Sequence, residues 1–169
     1  MVPDPLSVDA LLDKMANDTR ALITRRNFKD PLMIGIRTGG VWLAERLHAQ
    51  LELASPLGVL DISFYRDDFT QVGMNPKVKP TQLPCPTEGR DILLVDDVIM
   101  SGRTIRAAMN ELFDYGRPAS ITLISLLDLP RRDLPIQADV IGATLTLGPD
   151  QQVKLNGPDP LTLTISQRD

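Results

Sequence analysis

The first regular pattern along the chain is a repeat of apolar residues at spacings of three and four. It follows Ser7, a favourable N-cap residue, and Asp9 would lie in the first helical turn. The apolar positions are Val8, Leu11, Leu12, Met15, Leu22 and Ile23. This spacing predicts an amphipathic helix that ends near Asn27 and buries one face.

The next patterns predict strands and helices in alternation. Leu32–Ile36 is a short apolar run that predicts a strand, and Arg37-Thr38-Gly39-Gly40 would form the turn after it. A helical repeat follows at Val41, Ala44, Leu47 and Leu51. Alternating apolar positions at Leu60, Ile62 and Phe64 predict another strand.

The second half of the chain repeats this order. Ile92–Val95 predicts a strand, and a helical repeat from Ile105 to Phe113 ends at Gly116. Further strands are predicted at Ile121–Leu127, Ala138–Gly142, Val153–Leu155 and Leu161–Ile165. Strands that alternate with helices predict an α/β fold with a mostly parallel central sheet flanked by helices. Residues 1–169 are predicted to form a single domain.

One long segment, from Arg66 to Arg90, has no periodic pattern and contains four prolines. Loops of this length are uncommon in compact domains unless they form lids or small hairpins. We therefore expect a flexible hood over a site at about residues 66–90.

The composition argues against nucleic-acid-binding, disulfide-bonded and membrane-spanning classes of protein. The chain has 169 residues, 43% of them hydrophobic, a formal net charge of −4 and a pI near 5.0. A chain with this negative net charge lacks the excess of Lys and Arg that is typical of nucleic-acid-binding domains. Cys85 is the only cysteine, which excludes an intrachain disulfide and favours a reducing compartment. No apolar run approaches the roughly 20 residues of a membrane span, and no leader pattern is seen, so we expect a cytoplasmic protein.

The strongest chemical signal is a strand followed by two acids and a small polar loop that opens a helix. In α/β sheets ligands gather at the carboxyl ends of strands, where Asp96 and Asp97 could accept hydrogen bonds from sugar hydroxyls. The loop from Met100 to Thr104 offers backbone N–H groups, hydroxyls and a helix N-terminus for a phosphate. Both acids can reach one sugar only if the strand ends before them. A plain helix cap with solvated acids is the alternative for this pattern.

The thirteen residues of this signal resemble the phosphoribosyl pyrophosphate (PRPP) motif of type I phosphoribosyltransferases. They are Ile92, Leu93, Leu94, Val95, Asp96, Asp97, Val98, Ile99, Met100, Ser101, Gly102, Arg103 and Thr104. More of the chain is similar to the PyrR family, pyrimidine-operon attenuators that also act as uracil phosphoribosyltransferases. The similar stretches are Ile34–Ala44, Leu57–Asp68, Asp91–Met109, Tyr115–Pro118 and Leu134–Gly142.

The resemblance implies roles for two more segments. The turn of Arg37, Thr38, Gly39 and Gly40 would hold pyrophosphate, commonly with a strained peptide bond, although many relatives carry arginine at the position of Gly39. Tyr65, Arg66, Asp67 and Asp68 would open a catalytic hood that excludes water. Arg66, Asp96 and Asp97 are the expected catalytic residues. Mg²⁺ would accompany PRPP with few direct protein ligands, so no metal-ligating residue is predicted.

The segment that would bind the base departs from the family pattern. The family commonly reads Asp-Arg-Gly-His-Arg-Glu-Leu-Pro, whereas this chain has Leu129-Pro130 at the Arg-Gly positions. Proline removes a backbone donor there. Asp128, Arg131 and Arg132 are the remaining candidates for base binding. Uracil, or UMP as product, is the expected ligand, and another base such as a purine stays open.

The resemblance also implies RNA binding and self-association. The basic first helix of relatives is replaced here by a less basic one, so Arg20, Arg25, Arg26, Arg131 and Arg132 would form at most a reduced RNA patch. A regulator that senses PRPP or nucleotides without catalysis is a further alternative. Relatives of this fold associate, so a homodimer or homotetramer is expected. His48 and Trp42 are interpreted as structural or interface residues.

Overall fold

Five parallel strands form the central sheet of the computed structural model, which describes residues 7–62 and 81–168. Their spatial order is β2-β1-β3-β4-β5. The bounds are Leu32–Ile36 for β1, Gly58–Leu60 for β2, Asp91–Ile99 for β3, Ser120–Asp128 for β4 and Val140–Thr144 for β5. The predicted mostly parallel sheet is confirmed.

Three helices of the described part of the chain cover the two faces of this sheet. They are α1 (Val8–Arg25), α2 (Gly39–Leu51) and α3 (Arg103–Asp114). Residues of α1 and α2 share one core cluster with Leu93 and Val95 of β3, whereas residues of α3 share the other with Ile92 and Leu94. The sheet is therefore buried on both sides, which explains why its strands read as continuous apolar runs. No helix in residues 7–62 or 81–168 has the length and apolar character needed to cross a membrane.

The first helix begins and ends close to its predicted bounds. Ser7 is the N-cap, and its Oγ accepts a hydrogen bond of 3.3 Å from the backbone N–H of Ala10. Asp9 lies in the first turn and Arg25 in the last, which suits the helix dipole at both ends. The prediction from apolar spacing is confirmed.

The strand predicted through Leu60, Ile62 and Phe64 is shorter than expected. β2 ends at Leu60, Ile62 lies beyond it, and Phe64 is outside the described residues. The backbone N–H of Asp61 donates to Thr81 Oγ1 at 3.1 Å instead of joining the sheet. The alternation at Ile62 therefore reflects burial in the core below α3 and not strand pairing.

The prediction that the third strand ends before the two acids is wrong. β3 continues to Ile99, because its pairing with β4 persists at Asp96–Ser125, Val98–Leu127 and Ile99–Asp128. The two acids interrupt the apolar run, although Asp96 and Ile99 are buried like the residues before them. The hydrogen bonds between strands are made by the backbone, so they leave no signal in hydropathy.

The two predicted late strands form a hairpin of their own. β6 (Gln151–Asn156) and β7 (Thr162–Gln167) pair antiparallel and lie outside the central sheet. Leu155 of β6 and Leu161, just before β7, pack into the core cluster of α1 and α2. The hairpin therefore belongs to the same body as the central sheet.

Candidate active site

Three segments predicted to bind a ligand follow neighbouring strands of the sheet. The turn Arg37–Gly40 follows β1, the loop Met100–Thr104 follows β3, and the segment 129–136 follows β4. These strands lie side by side and parallel, in the order β1-β3-β4. Their carboxyl ends therefore bring the three segments to one edge of the sheet, the usual place for ligands in this architecture.

The two acids lie where the regular alternation of β3 slips by one residue. Leu93, Val95 and Val98 all pack in the cluster of α1 and α2, although strict alternation would send Val98 to the opposite face. At the same point the backbone N–H of Asp97 donates to Asp96 Oδ1 at 2.9 Å. Asp96 is buried, with 6% of its surface exposed, and Asp97 is half-buried. Because side chains do not alternate regularly through this part of β3, the rule that neighbouring residues face opposite ways does not keep the two acids apart, although the strand continues.

Asp97 lies directly against the turn that follows β1. A Cβ placed on Gly39 would come within 2.6 Å of Asp97 Oδ2. A Cβ on Gly40 would collide with the carbonyl oxygen of Val95, a backbone atom that cannot rotate away. Gly39 and Gly40 therefore let the first turn of α2 approach β3 closely. The peptide bond between Arg37 and Thr38 in this turn is cis.

Arg37 is held beside an acid at the end of β2. Its Nε lies 3.7 Å from Asp61 Oδ2, and the Arg37 side chain is 30% exposed. The backbone N–H of Arg37 donates to the carbonyl oxygen of Leu60 at 3.0 Å. Nε is buried and makes no hydrogen bond among the described residues. The turn thus carries a partly exposed positive charge.

The loop after β3 has the local structure that the motif predicts. Gly102 is the N-cap of α3 with a φ of 95°, a left-handed conformation that favours glycine. Ser101 Oγ accepts a hydrogen bond of 3.1 Å from the backbone N–H of Arg103. The loop thus leads directly into the positive end of a helix, a favourable place for an anion.

A cavity of about 330 Å³ opens between this loop and the β6–β7 hairpin. Its walls include Leu129 and Arg131 after β4, together with side chains that the sequence did not single out. Those residues are Leu147, Gln151, Gln152, Val153 and Arg168. They belong to no recognisable sequence motif, because only the packing of the hairpin and its flanking residues brings them to the cavity.

The candidates for base binding make mostly internal contacts. Arg132 Nη2 lies 2.7 Å from Asp128 Oδ1, and both side chains are largely buried. Arg131 Nη2 donates to the carbonyl oxygens of Leu147 at 2.7 Å and Gly148 at 3.1 Å. Of these three candidates, Arg131 is the one that lines the cavity.

The predicted hood falls mostly outside the described residues. Tyr65, Arg66, Asp67 and Asp68 lie there. Residues 81–90, which the prediction included in the hood, are fixed against the end of α3. Thr87 is buried and its Oγ1 donates to the carbonyl oxygen of Leu112 at 2.9 Å, while Gly89 N–H donates to the Arg117 carbonyl oxygen at 2.8 Å.

Glu111 of α3 bonds to Thr81, which in turn bonds to Asp61 on the other side of residues 63–80. Thr81 Oγ1 donates to Glu111 Oε2 at 2.9 Å and accepts from the backbone N–H of Asp61 at 3.1 Å. Burial raises the pKa of Glu111 above the ordinary 4.5, and the charges of Asp114 and Asp61 act in the same direction, while the Thr81 hydrogen bond opposes it. Glu111 was not predicted, because its position on a helix carries no motif.

The arginines considered for RNA do not assemble into one patch. Arg26 contacts Thr122 near the start of β4 at 3.3 Å and Asp139 at 3.5 Å. Arg131 and Arg132 follow the other end of that strand. Six residues of strand separate the two ends by about 20 Å.

Two single residues have structural contacts. His48 Nε2 lies 2.7 Å from the carbonyl oxygen of Ser55. Trp42 packs against the core cluster of α1 and α2, and a Cβ on Gly157 would meet its ring at 2.9 Å. Both observations agree with the interpretation of these residues as structural.

Comparison with known proteins identifies the class. The family model described as phosphoribosyl transferase domain matches residues 7–160. Among solved structures, the fold is similar to a hypoxanthine phosphoribosyltransferase from Staphylococcus aureus, with a TM-score of 0.64 and 22% identity over 87% of this chain and 78% of that one. A hypoxanthine-guanine phosphoribosyltransferase from Bacillus anthracis gives a TM-score of 0.65 and 18% identity over 87% and 82%. The family model and the fold together define a type I phosphoribosyltransferase.

Curated relatives narrow the class further. Bifunctional protein PyrR of Pseudomonas syringae pv. syringae is 55% identical over 97% of this chain and 95% of its own length. Bifunctional protein PyrR of Pseudomonas aeruginosa PAO1 is 57% identical over 96% and 94%. The chain belongs to the PyrR family of phosphoribosyltransferases.

Proposed function

We propose that this protein transfers the phosphoribosyl group of PRPP to uracil, forming UMP and pyrophosphate. The observation that carries the proposal is the contact between the acid pair and the turn after β1. Asp97 Oδ2 lies against Gly39, and the same strand runs on into the loop Met100–Thr104. The segments proposed to bind the sugar, the pyrophosphate and the 5-phosphate are therefore neighbours at one edge of the sheet.

Each segment has chemistry suited to one part of PRPP. Asp96 and Asp97 would accept hydrogen bonds from the ribose hydroxyls. The loop Met100–Thr104 would bind the 5-phosphate at the start of α3. Arg37 would stabilise the negative charge on the departing pyrophosphate. As the bond from C1′ to pyrophosphate breaks, its electron pair leaves with pyrophosphate, and C1′ bonds to N1 of uracil, whose proton is released to solvent.

Mg²⁺ is proposed to arrive with PRPP as part of the substrate. In residues 7–62 and 81–168, no three His, Cys, Asp or Glu side chains are grouped as a metal cage. Mg²⁺ would be held mainly by PRPP and water and would offset the charge of the departing pyrophosphate, while Asp96 and Asp97 would contact the ribose hydroxyls. Arg66 remains a proposed contact to pyrophosphate from the hood.

The side of the cavity lined by the hairpin and by Leu129 and Arg131 is the proposed place for the base, while the side lined by Asp97 and the loop Met100–Thr104 would hold the ribose 5-phosphate. Leu129 and Val153 supply apolar walls, while Arg131, Gln151 and Gln152 supply polar groups. Gln side chains offer both a donor and an acceptor, which matches the alternating donors and acceptors on the edge of a pyrimidine. Binding pockets for small molecules begin at about 300 Å³, so the cavity as a whole has the size of a small-molecule site.

The direct test is an assay with PRPP, Mg²⁺ and a panel of bases: uracil, cytosine, orotate, hypoxanthine and guanine. We expect UMP from uracil at a rate well above any other product. If only a purine base yields a nucleotide, that purine and not uracil is the substrate. Tight PRPP binding by calorimetry with no product from any base would favour a sensor that lacks catalysis.

A second activity, RNA binding that regulates pyrimidine genes, is favoured by the curated relatives, which carry the name bifunctional. Because Arg26 is far from Arg131 and Arg132, this surface would be a smaller patch of Arg20, Arg25 and Arg26 at the end of α1. Binding to a pyrimidine-operon leader RNA is expected to show a sequence preference. Equal affinity for a scrambled RNA and a shallow salt dependence would exclude it.

Self-association is proposed from the same resemblance. A homodimer or homotetramer is expected in solution. Light scattering coupled to size-exclusion chromatography would distinguish these assemblies from a monomer of 18.6 kDa.

A further inference from the structure

Arg132 joins the segment after β4 to the loop that begins at Met100. All of its guanidinium nitrogens donate to atoms of the protein. Nε donates to the Ile136 carbonyl oxygen at 2.7 Å, and Nη1 to the carbonyl oxygens of Met100 at 2.9 Å and Leu129 at 3.0 Å. Nη2 completes the set with Asp128 Oδ1 at 2.7 Å. The side chain therefore acts as a clamp inside the protein, in contrast to the base contact predicted from sequence.

The next carbonyl group of the loop is held from the same segment. Ser101 O accepts hydrogen bonds from the backbone N–H groups of Asp133 at 2.9 Å and Leu134 at 3.1 Å. Two successive carbonyls, those of Met100 and Ser101, are thus fixed by residues 132–134. In a trans peptide unit the N–H points opposite to the C=O. Fixing these carbonyls therefore directs the N–H groups of Ser101 and Gly102 away from the segment.

We propose that Arg132 is a positioning residue that orients the N–H groups of the phosphate loop toward the 5-phosphate of the substrate. The proposal rests on the proposed function for the identity of this ligand. Preorganised N–H donors bind an anion without reorganisation on ligand arrival. Arg132 acts here through the Met100 carbonyl and does not touch the substrate.

Arginine is required at this position by geometry. Its planar fork presents donors in several fixed directions, whereas lysine is a point charge on a flexible stem. The Arg132 side chain is 24% exposed and that of Asp128 is 14% exposed, so the pair is largely shielded from water. A lysine at position 132 could keep the ion pair with Asp128 but could not also hold three carbonyl oxygens.

The test uses Arg132→Lys in the full chain, with ribose 5-phosphate as the calorimetric probe. Arg117→Lys is the matched control, because Arg117 is exposed beyond the other end of α3. We expect Arg132→Lys to weaken ribose 5-phosphate binding by about tenfold or more, the loss of at least one charge-assisted hydrogen bond's contribution. The KM for PRPP should rise in parallel, while the KM for uracil stays within about twofold of wild type.

Asp128→Asn is a milder second variant, since asparagine keeps an acceptor for Nη2 and removes only the charge. It should weaken ribose 5-phosphate binding in the same direction and by less. Wild-type affinity in Arg132→Lys, or in Asp128→Asn should the lysine variant fail to fold, would overturn the proposal. A raised KM for uracil with an unchanged KM for PRPP would also overturn it and return Arg132 to the base site.

Calorimetry keeps this proposal separate from the proposed reaction. A wild-type protein that binds ribose 5-phosphate but forms no nucleotide refutes the reaction and leaves the role of Arg132 testable. A wild-type protein that binds no ribose 5-phosphate refutes the role of Arg132.

Discussion

Two adjacent glycines in the turn after β1 should respond differently to the same added methyl group. At Gly40 the new Cβ would collide with the Val95 carbonyl oxygen and lie 3.1 Å from Asp96 Cα, so backbone must move. At Gly39 it would meet the end of the Asp97 side chain, which can rotate. Gly40→Ala should therefore lower stability, whereas Gly39→Ala should mainly affect activity.

The size of each effect follows from these contacts. Overpacking of a tight site costs about 1–3 kcal/mol, and alanine in a helix recovers about 0.5–1 kcal/mol. Gly40→Ala should thus lose about 1–2 kcal/mol, or about 2–8 °C in Tm for a chain of this size. At Gly39 the contact of 2.6 Å is short of the 3.4 Å where ordinary contact begins, so the Asp97 carboxylate must move by roughly 0.8 Å. A displacement near 1 Å can reduce activity by about 10²-fold.

The assay is kcat/KM for PRPP at saturating uracil, with Tm measured on the same samples. Gly39→Ala should keep Tm within about 2 °C of wild type and lose most of its activity. Full activity in Gly39→Ala would refute the claim that Asp97 works from beside this turn. A wild-type Tm in Gly40→Ala would show that the packing of α2 on β3 is looser than described.

Three further predictions follow from individual residues. Asp96→Asn and Asp97→Asn should each lower kcat/KM for PRPP by about 10²-fold with an unchanged circular dichroism spectrum, and unchanged kinetics would remove the acids from the site. Because the folded pKa of Glu111 is raised, its contribution to stability is present below pH 4.5 and lost as the pH rises through the folded pKa. The Tm of Glu111→Gln relative to wild type should therefore increase from about pH 4 to about pH 7, and a pH-independent difference would contradict this. Ser7→Ala should lower the free energy of unfolding by about 0.5–2 kcal/mol in urea titrations through loss of the helix cap, whereas Ser7→Gly should lose only a few tenths.

The fold was largely predictable because burial on both sides of a parallel sheet leaves a strong hydropathy signal. Leu32–Ile36 is buried at every position, and the sequence indicated its bounds correctly. β3 was predicted too short, since its last residues are held by ladder bonds that hydropathy does not record. Ile62 was assigned to a strand on alternation alone, although its neighbour Asp61 bonds to Thr81.

The candidate site could be predicted only as far as its residues form local sequence motifs, and their roles stay predictions. The acid pair, the loop to Thr104 and the turn Arg37–Gly40 were identified, and the strand order brings them together. The hairpin residues could not be identified, because Gln151 reaches the cavity only through long-range packing. Arg132 was assigned to the base, since no sequence pattern shows that its donors are used by carbonyl oxygens of two loops.

The central claim is that three segments at one sheet edge form a working site for PRPP and uracil. Phosphorus NMR of one mixture of protein, PRPP, Mg²⁺ and uracil tests it most directly. The PRPP signals should disappear while UMP and pyrophosphate appear in equal amounts, and Asp97→Asn should slow all three changes together. Unchanged PRPP, or its conversion to ribose 5-phosphate and pyrophosphate without UMP, would contradict the account.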